Sequence, residues 1–308
     1  MAAEEHHDVV IIGGGPAGVS AALECFDIRL DAVLVEAGAA LGGQLSEVPN
    51  SIRNVATARF ESGDALRGAL EETSAIIADR VRLSHPVTTA DFGDRWVESH
   101  GRRLRAEAFL ITSGTTKQRL PAAIDGAFGG DVTYQVESRP GHFAGRAVAV
   151  VGGGDSAALD ALELARGGSK VKLVHRSETL TARRDIVAQV LAEPAIEDVP
   201  GWDLDAVGGD DRLEEVILVR SATGERRTLR VGGLVVKIAR VPMTAVFGGQ
   251  LEVDRRGAVV VDEELRTSRA GVFAAGDVVA GAYPRVATAL GQGVLAARSL
   301  LRYLQGRP

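Results

Sequence analysis

The chain has 308 residues, 45% hydrophobic and 25% charged, the composition of a soluble globular protein of one large or two ordinary domains. Its net charge of −6 argues against general nucleic-acid binding, and no apolar run approaches the roughly 18 residues of a membrane helix. A single cysteine, Cys25, excludes an internal disulfide and any cysteine-built metal or iron–sulfur site, so no metal is expected.

The acidic start "MAAEEHHDVV" passes straight into a strand and lacks the form of a secretory signal, so the cytoplasm is the expected compartment. Residues 8–23, "DVVIIGGGPAGVSAAL", read as a β-branched strand, a glycine turn and an Ala/Leu-rich helix that packs Cys25 as an inert thiol. "AVLVE" (32–36) is the next strand. Further strands are expected at 81–84, 95–98 and 107–112, the last running into a crossover at "TSGT". "AVAVVGGGDSAALDAL" (147–162) repeats the opening pattern, and "KVKLVH" (170–175) repeats its second strand. The segment 201–215 reads as strand, turn and strand, followed by strands at 215–220, 228–231, 233–239 and 258–261. A strand, a loop and a final helix close the chain. The βαβ dinucleotide-binding unit is therefore present twice, with short crossovers near 113–117 and 242–246.

In the first loop Gly13, Gly15 and Gly18 fit GxGxxG, with Pro16 and Ala17 inside it. The first glycine permits the tight turn and the second lets backbone approach a pyrophosphate. The third lets helix pack on strand, while the helix N-terminus supplies partial positive charge. Glu36 follows Gly13 by 23 residues, where a carboxylate accepts hydrogen bonds from ribose hydroxyls. In the second loop Gly152, Gly154 and Ala157 fit GxGxxA around Asp155 and Ser156. The same 23 residues lead from Gly152 to His175, with Arg176 beside it. A carboxylate there would repel a 2′-phosphate whereas His and Arg hold one, which favours NADPH over NADH. Arg183 and Arg184 are further phosphate candidates, or else surface charges. Two such sites in one chain imply a flavin and a nicotinamide cofactor that supply the chemistry while the protein positions them.

Seven segments now stand in register: "GGGPAG" (13–18), "GGQL" (42–45), "ITSGT" (111–115), "VVGGGDSA" (150–157), "VHR" (174–176), "TSRAGVFAAGDV" (267–278) and "TALGQGVLAA" (288–297). In order and spacing they resemble the thioredoxin reductase-like flavoproteins, a group that includes the thioredoxin reductase-type ferredoxin–NADP reductases. The resemblance covers nearly the whole chain. It implies an α/β homodimer of two Rossmann-like domains, with FAD in a discontinuous domain (1–114 and 245–308) and NAD(P)H in an inserted one (115–244). By motif position Gly13, Gly15, Pro16, Ala17, Gly18 and Glu36 would hold the adenosine diphosphate of FAD. Gly43, Gln44 and Leu45 would run beside the isoalloxazine, with Asn54 a neighbour and Gly114 in the matching crossover motif. Asp277, after Gly276, would bind the ribityl chain, and the helix opening at Val286 and Ala287 would point its N-terminus at the flavin pyrimidine ring.

Departures from the family pattern narrow the expectation. Counting back from Gly152, the two cysteines of the disulfide reductases correspond to Gln135 and Ser138, so the usual dithiol route to thioredoxin is excluded. Ser177 and Thr181 replace two arginines of the 2′-phosphate pattern; Arg183 compensates, or NADPH binds weakly. Arg240 either contacts nucleotide or restrains domain movement. Arg285 stands where the family has Gln, and either faces the flavin C2=O or lies on the surface. His142 either approaches the flavin or is a loop histidine satisfied by backbone. His142 and Arg285 are the candidate side chains for a catalytic role. The leading expectation is an NADPH-linked FAD oxidoreductase that uses the flavin alone. Its partner is a ferredoxin or flavodoxin steered by arginines such as Arg102, Arg103 and Arg105, or Arg226, Arg227 and Arg230. Against it, the C-terminus "RYLQGRP" is short and carries only Tyr303 as an aromatic. The alternatives are a small-molecule flavoenzyme or oxidase that makes little use of NADPH, and a flavin-binding protein without catalysis.

Overall fold

The computed structural model describes residues 4–48, 50–120, 128–136, 141–238 and 240–306. By its contacts the chain divides into two compact units: Met1–Thr116 with Val241–Pro308, and Lys117–Arg240.

The first unit is built on the strand Glu4–Ile12, whose alternating residues serve opposite faces of one sheet. Val9 and Ile11 enter a core shared with the helices, and Val10 and Ile12 enter a second core that contains Phe92, Val97 and Phe109. Ala32–Val35 and Arg102–Ile111 flank this strand in parallel, and Val81–Arg82 extends the sheet beyond Ala32–Val35. The strand Arg102–Ile111 is longer than its apolar half, 107–112, indicates. Its arginine-bearing start pairs antiparallel with Trp96–Ser99, and its apolar end pairs parallel with Val272–Ala274. Arg103 lies over the Trp96 ring at 4.1 Å and Arg105 bonds Glu4, so charged residues continue the strand because their neighbours satisfy them. The expected strand at 258–261 is instead a set of isolated bridges, Val259 to Val253 and Val279, and Val261 to Thr267.

Two helices cross on the first core face, Pro16–Asp27 and Val286–Gln305. Gly293 permits the crossing, because a Cβ there would run into the Ala17 carbonyl oxygen. Ser20 Oγ donates to the Leu290 carbonyl at 2.8 Å beside it. Ala296, Ala297 and Leu300 are fully buried along this seam, and each large aliphatic side chain so buried contributes about 1.5–3 kcal/mol. Cys25 belongs to the same core and is 0% exposed; burial pushes its thiol up to about 12.

The second unit has a parallel sheet in the order Val132–Thr133, Gly233–Val236, Ala147–Val151, Lys170–His175, Ile196–Pro200. Helices Asp155–Arg166 and Arg184–Ala192 cover one face, and an antiparallel sheet of Asp203–Gly208, Glu215–Val219 and Arg226–Arg230 supplies the other core. Val148 and Val150 face the helices while Ala149 and Val151 face the small sheet. Among the described residues no helix is long and apolar enough to cross a membrane, and no group of three His, Cys, Asp or Glu residues could hold a metal ion.

Candidate functional site

Each glycine loop sits where a strand with parallel neighbours ends and a helix begins, the crevice that α/β sheets offer to ligands. In the first unit Gly13 has φ +111°, and a Cβ there would lie 2.5 Å from the Thr112 carbonyl oxygen. Thr112 Oγ1 donates to the Ile12 and Gly13 carbonyls at 3.0 and 2.8 Å, fixing the turn from the neighbouring strand. Gly15 caps the helix with no side-chain hydrogen bond, Pro16 takes the first position, and no acid lies in the first turn. The space in front of Gly15 is open for at least 4 Å. The helix therefore presents unsatisfied N–H groups and an uncompensated positive end to whatever lies there. Ala17 and Gly18 are buried behind the loop.

Glu36 is wired to this turn, its Oε2 accepting from Gly14 N–H and its Oε1 from Gly38 N–H, both at 2.6 Å. Gly42 donates to the Gly14 carbonyl, and Gly43 (φ +53°) would bring a Cβ within 3.4 Å of Gly15 Cα. The "GGQL" segment thus lies against the first loop. Gln44 Nε2 donates to both the carbonyl and the hydroxyl of Thr115, and Gly114 adopts φ +66° beside it. Leu45 turns into the core at 5% exposed. Gly276 (φ +81°) packs on Ala17 and donates to Gln292 Oε1 at 2.7 Å, which places Asp277 immediately beyond the same loop. Asn54 is exposed on the hairpin strand Ile52–Val55. The helix from Val286, with Ala287 exposed in its first turn, also lacks a side-chain cap. Its N-cap Arg285 is exposed and stacks over Tyr283 at 4.8 Å, donating to the Pro284 carbonyl.

In the second unit Gly152 has φ +144°, and a Cβ would run into the Lys237 carbonyl. Gly154 is an N-cap without a side-chain bond and faces open space, while Ala157 is buried. Asp155, in the first turn, accepts from Arg183 N–H at 2.7 Å, and Ser156 is exposed beside it. Thr181 bonds the Gly153 carbonyl through both N–H and hydroxyl, and Ser177 Oγ donates to the Thr179 carbonyl. Thr181 therefore ties its segment to the glycine loop, and Ser177 is bonded within that segment.

His175 is placed differently from the phosphate-holding role read from its spacing. Its ring is buried, with Nε2 2.8 Å from Asp198 and Nδ1 3.4 Å from Ser177. Arg176 is exposed and has no hydrogen-bond or ion-pair partner among the described residues. The Arg183 guanidinium lies 3.4 Å from Asp185 and 3.9 Å from Asp155, and Arg240 is exposed. His142 Nε2 is 3.3 Å from Asp131, a carboxylate rather than a backbone partner. Gln135 accepts from and donates to Thr133, and Ser138 lies outside the described residues.

Both loops fit a dinucleotide on their own geometry, having an open face at the second glycine and an uncapped helix start behind it. A family model for the pyridine nucleotide-disulphide oxidoreductases matches residues 7–293. The chain belongs to that family. A thioredoxin reductase of Listeria innocua is 30% identical over 311 residues, 99% of this chain and 96% of that relative. One of Streptomyces coelicolor is 33% identical over 303 residues, 94% and 91% of the two chains. The thioredoxin reductase structure from Lactococcus lactis superposes with a TM-score of 0.82 at 26% identity, covering 98% of this chain and 100% of that one. The bacillithiol disulfide reductase of Staphylococcus aureus, 18% identical, shares the fold with a TM-score of 0.80, covering 98% and 100%. The protein is an oxidoreductase of the thioredoxin reductase-like type, whose family cofactors are FAD and NADPH.

Several site residues carry no motif signal of their own. Thr115 and Gln292 lie inside quoted motifs but act through hydrogen bonds that only folding defines. Asp198 and the buried Lys237–Asp160 pair, 2.8 Å apart, sit in otherwise unremarked strands and helix.

Proposed function

We propose that this flavoprotein passes electrons between NADPH and an external acceptor through its flavin alone, with a ferredoxin or flavodoxin as acceptor or donor and a homodimer as the working form. The observation that carries this reading is the single cysteine, 0% exposed with its thiol pushed up to about 12, in a chain that keeps both glycine loops. A dithiol relay needs two cysteines that reach the thiolate state, and Cys25 has neither a partner nor accessibility. When bound, FAD and the nicotinamide supply the electron and hydride chemistry.

The chain's own residues bind and orient. Gly13, Gly15 and the helix start would accept the FAD pyrophosphate, Glu36 would exchange its bonds to Gly14 and Gly38 for ribose hydroxyls, and the uncapped helix at Val286 would place partial positive charge at the ring. Gly152, Gly154 and the helix behind them would hold the second dinucleotide, and the exposed Arg176 would take the 2′-phosphate.

A second reading, a small-molecule flavoenzyme or oxidase with little need of NADPH, is favoured by the phosphate side, where His175 is turned inward and Ser177 and Thr181 are tied locally. Anaerobic mixing of the yellow protein with NADPH, and separately with NADH, decides between them. Rapid bleaching of the visible flavin band by NADPH, with slower bleaching by NADH, supports the first reading. No bleaching by either nucleotide overturns it in favour of the second. Reduction of ferredoxin by NADPH, without reduction of thioredoxin, then tests the acceptor.

A further inference from the structure

We infer that Gln292 is a positioning residue for FAD: its side-chain oxygen holds the turn that carries Asp277, and FAD affinity depends on that bond. The strand Val272–Ala274 leads into this turn, and the next residue, Ala275, still donates its N–H to the Ile111 carbonyl at 3.0 Å. Gly276 then leaves the sheet. It adopts φ +81°, and a Cβ there would lie 3.0 Å from that of Ala17 in the first glycine loop. Its N–H donates to Gln292 Oε1 at 2.7 Å, and its carbonyl accepts from Val279 N–H at 3.1 Å. Asp277 and Val278 are the two central residues of the turn so closed. Gly276 is buried, and so are Ala275 and Val278 on either side of the turn. A buried backbone N–H without an acceptor is costly, and here the acceptor comes from one side chain.

Gln292 belongs to the helix Val286–Gln305 and lies less than two turns from its uncapped start. Helical side chains lean toward the N-terminus, which suits this reach back to Gly276. The next residue, Gly293, packs so closely that a Cβ would meet the Ala17 carbonyl oxygen at 2.3 Å. Gln292 and Gly293 therefore seat one helix against two other FAD anchors, the first loop at Ala17 and the turn at Gly276. A backbone N–H only donates, so Gln292 must present its oxygen, and a replacement works only if it carries an acceptor at the same reach. Glu has that oxygen, Asn carries it one methylene short, and Leu fills the space without it. The inference rests on the first loop and Asp277 holding FAD, and not on the identity of the electron acceptor.

The test compares the FAD-loaded protein with Gln292→Leu, Gln292→Glu and Gln292→Asn. FAD affinity is read from flavin released on dilution, flavin placement from the visible spectrum and midpoint potential, and the turn from deuterium exchange of the peptide over 272–279. Gln292→Leu should weaken FAD by about tenfold or more, the effect of leaving one buried N–H unbonded. It should also shift the flavin band and speed exchange in that peptide. Gln292→Asn should behave like Gln292→Leu, and supplies the same comparison if the leucine variant does not fold. Gln292→Glu should restore both slow exchange and FAD retention. A lowered Tm of the flavin-free variants with FAD affinity and spectrum unmoved would mark Gln292 as structural only and overturn the inference. A glutamate variant that releases FAD as readily as the leucine variant overturns it too. If the unaltered chain neither carries nor takes up FAD, the assignment of the first loop falls, and this inference with it.

Discussion

Asp131 shows how one side chain can organise a unit. Its side chain is 0% exposed and accepts from Arg212 at 2.7 and 2.9 Å and from Leu213 N–H at 3.2 Å, with Arg146 2.9 Å and His142 3.3 Å away. Burial alone would raise its carboxyl, but the hydrogen bonds from Arg212 and Arg146 outweigh burial and hold it well below the usual carboxylate range. The folded state thus binds the proton less readily than the unfolded chain, whose Asp titrates near about 3.9. The resulting stability is present above that pH and is lost as pH falls further. Asp131→Asn should cost about 3 kcal/mol at neutral pH, since it leaves the partly buried Arg146 and the exposed Arg212 around a buried amide. Urea unfolding should show this gap narrowing as the pH is taken below about 4. Cys25 gives the opposite case, a group with no chemistry to perform. Iodoacetamide should leave it unmodified in the native protein and alkylate it fully in urea, read by mass spectrometry, and Cys25→Ala should keep NADPH-dependent flavin reduction.

At the scale of elements, each nucleotide loop depends on backbone that only glycine supplies. Gly13→Ala would face φ +111° and a Cβ 2.5 Å from the Thr112 carbonyl, so the variant should lose FAD on gel filtration or fold poorly. Gly152→Ala makes the matching change in the second unit, where Lys237 supplies the carbonyl. It should keep its yellow colour and lose rapid reduction by NADPH. Arg176→Ala should raise the KM for NADPH by about tenfold, one charge-assisted contact, while leaving that for NADH unchanged. These glycines were legible because strand, turn and helix each imprint a local pattern. The partners of the loops were not, since Thr112 is 99 residues from the carbonyl it holds and Asp198 is 23 from its histidine. The strand expected at 258–261 fails for a similar reason. Its apolar run is real, but Val259 bridges Val253 and Val279 and Val261 bridges Thr267, isolated contacts rather than a neighbouring strand.

At the scale of the whole molecule, the chain combines two Rossmann-like units with a single buried thiol. The α/β class, the two βαβ units and the single cysteine were legible in the sequence because each rests on short-range periodicity, glycine spacing or a residue count, and the family was legible as a resemblance of seven motifs in order. Tertiary structure decided which charged residues remain available. In the sequence His142 and Arg285 are open between the flavin and other surroundings, and His175 reads as a phosphate partner. Folding bonded His142 to Asp131 and His175 to Asp198, stacked Arg285 on Tyr283, and left Arg176 and Arg102 exposed. The reason is physical: a polar side chain binds a ligand only if no nearer partner satisfies it first, and nearness across a sheet is set by pairing and burial, which spacing along the chain does not encode.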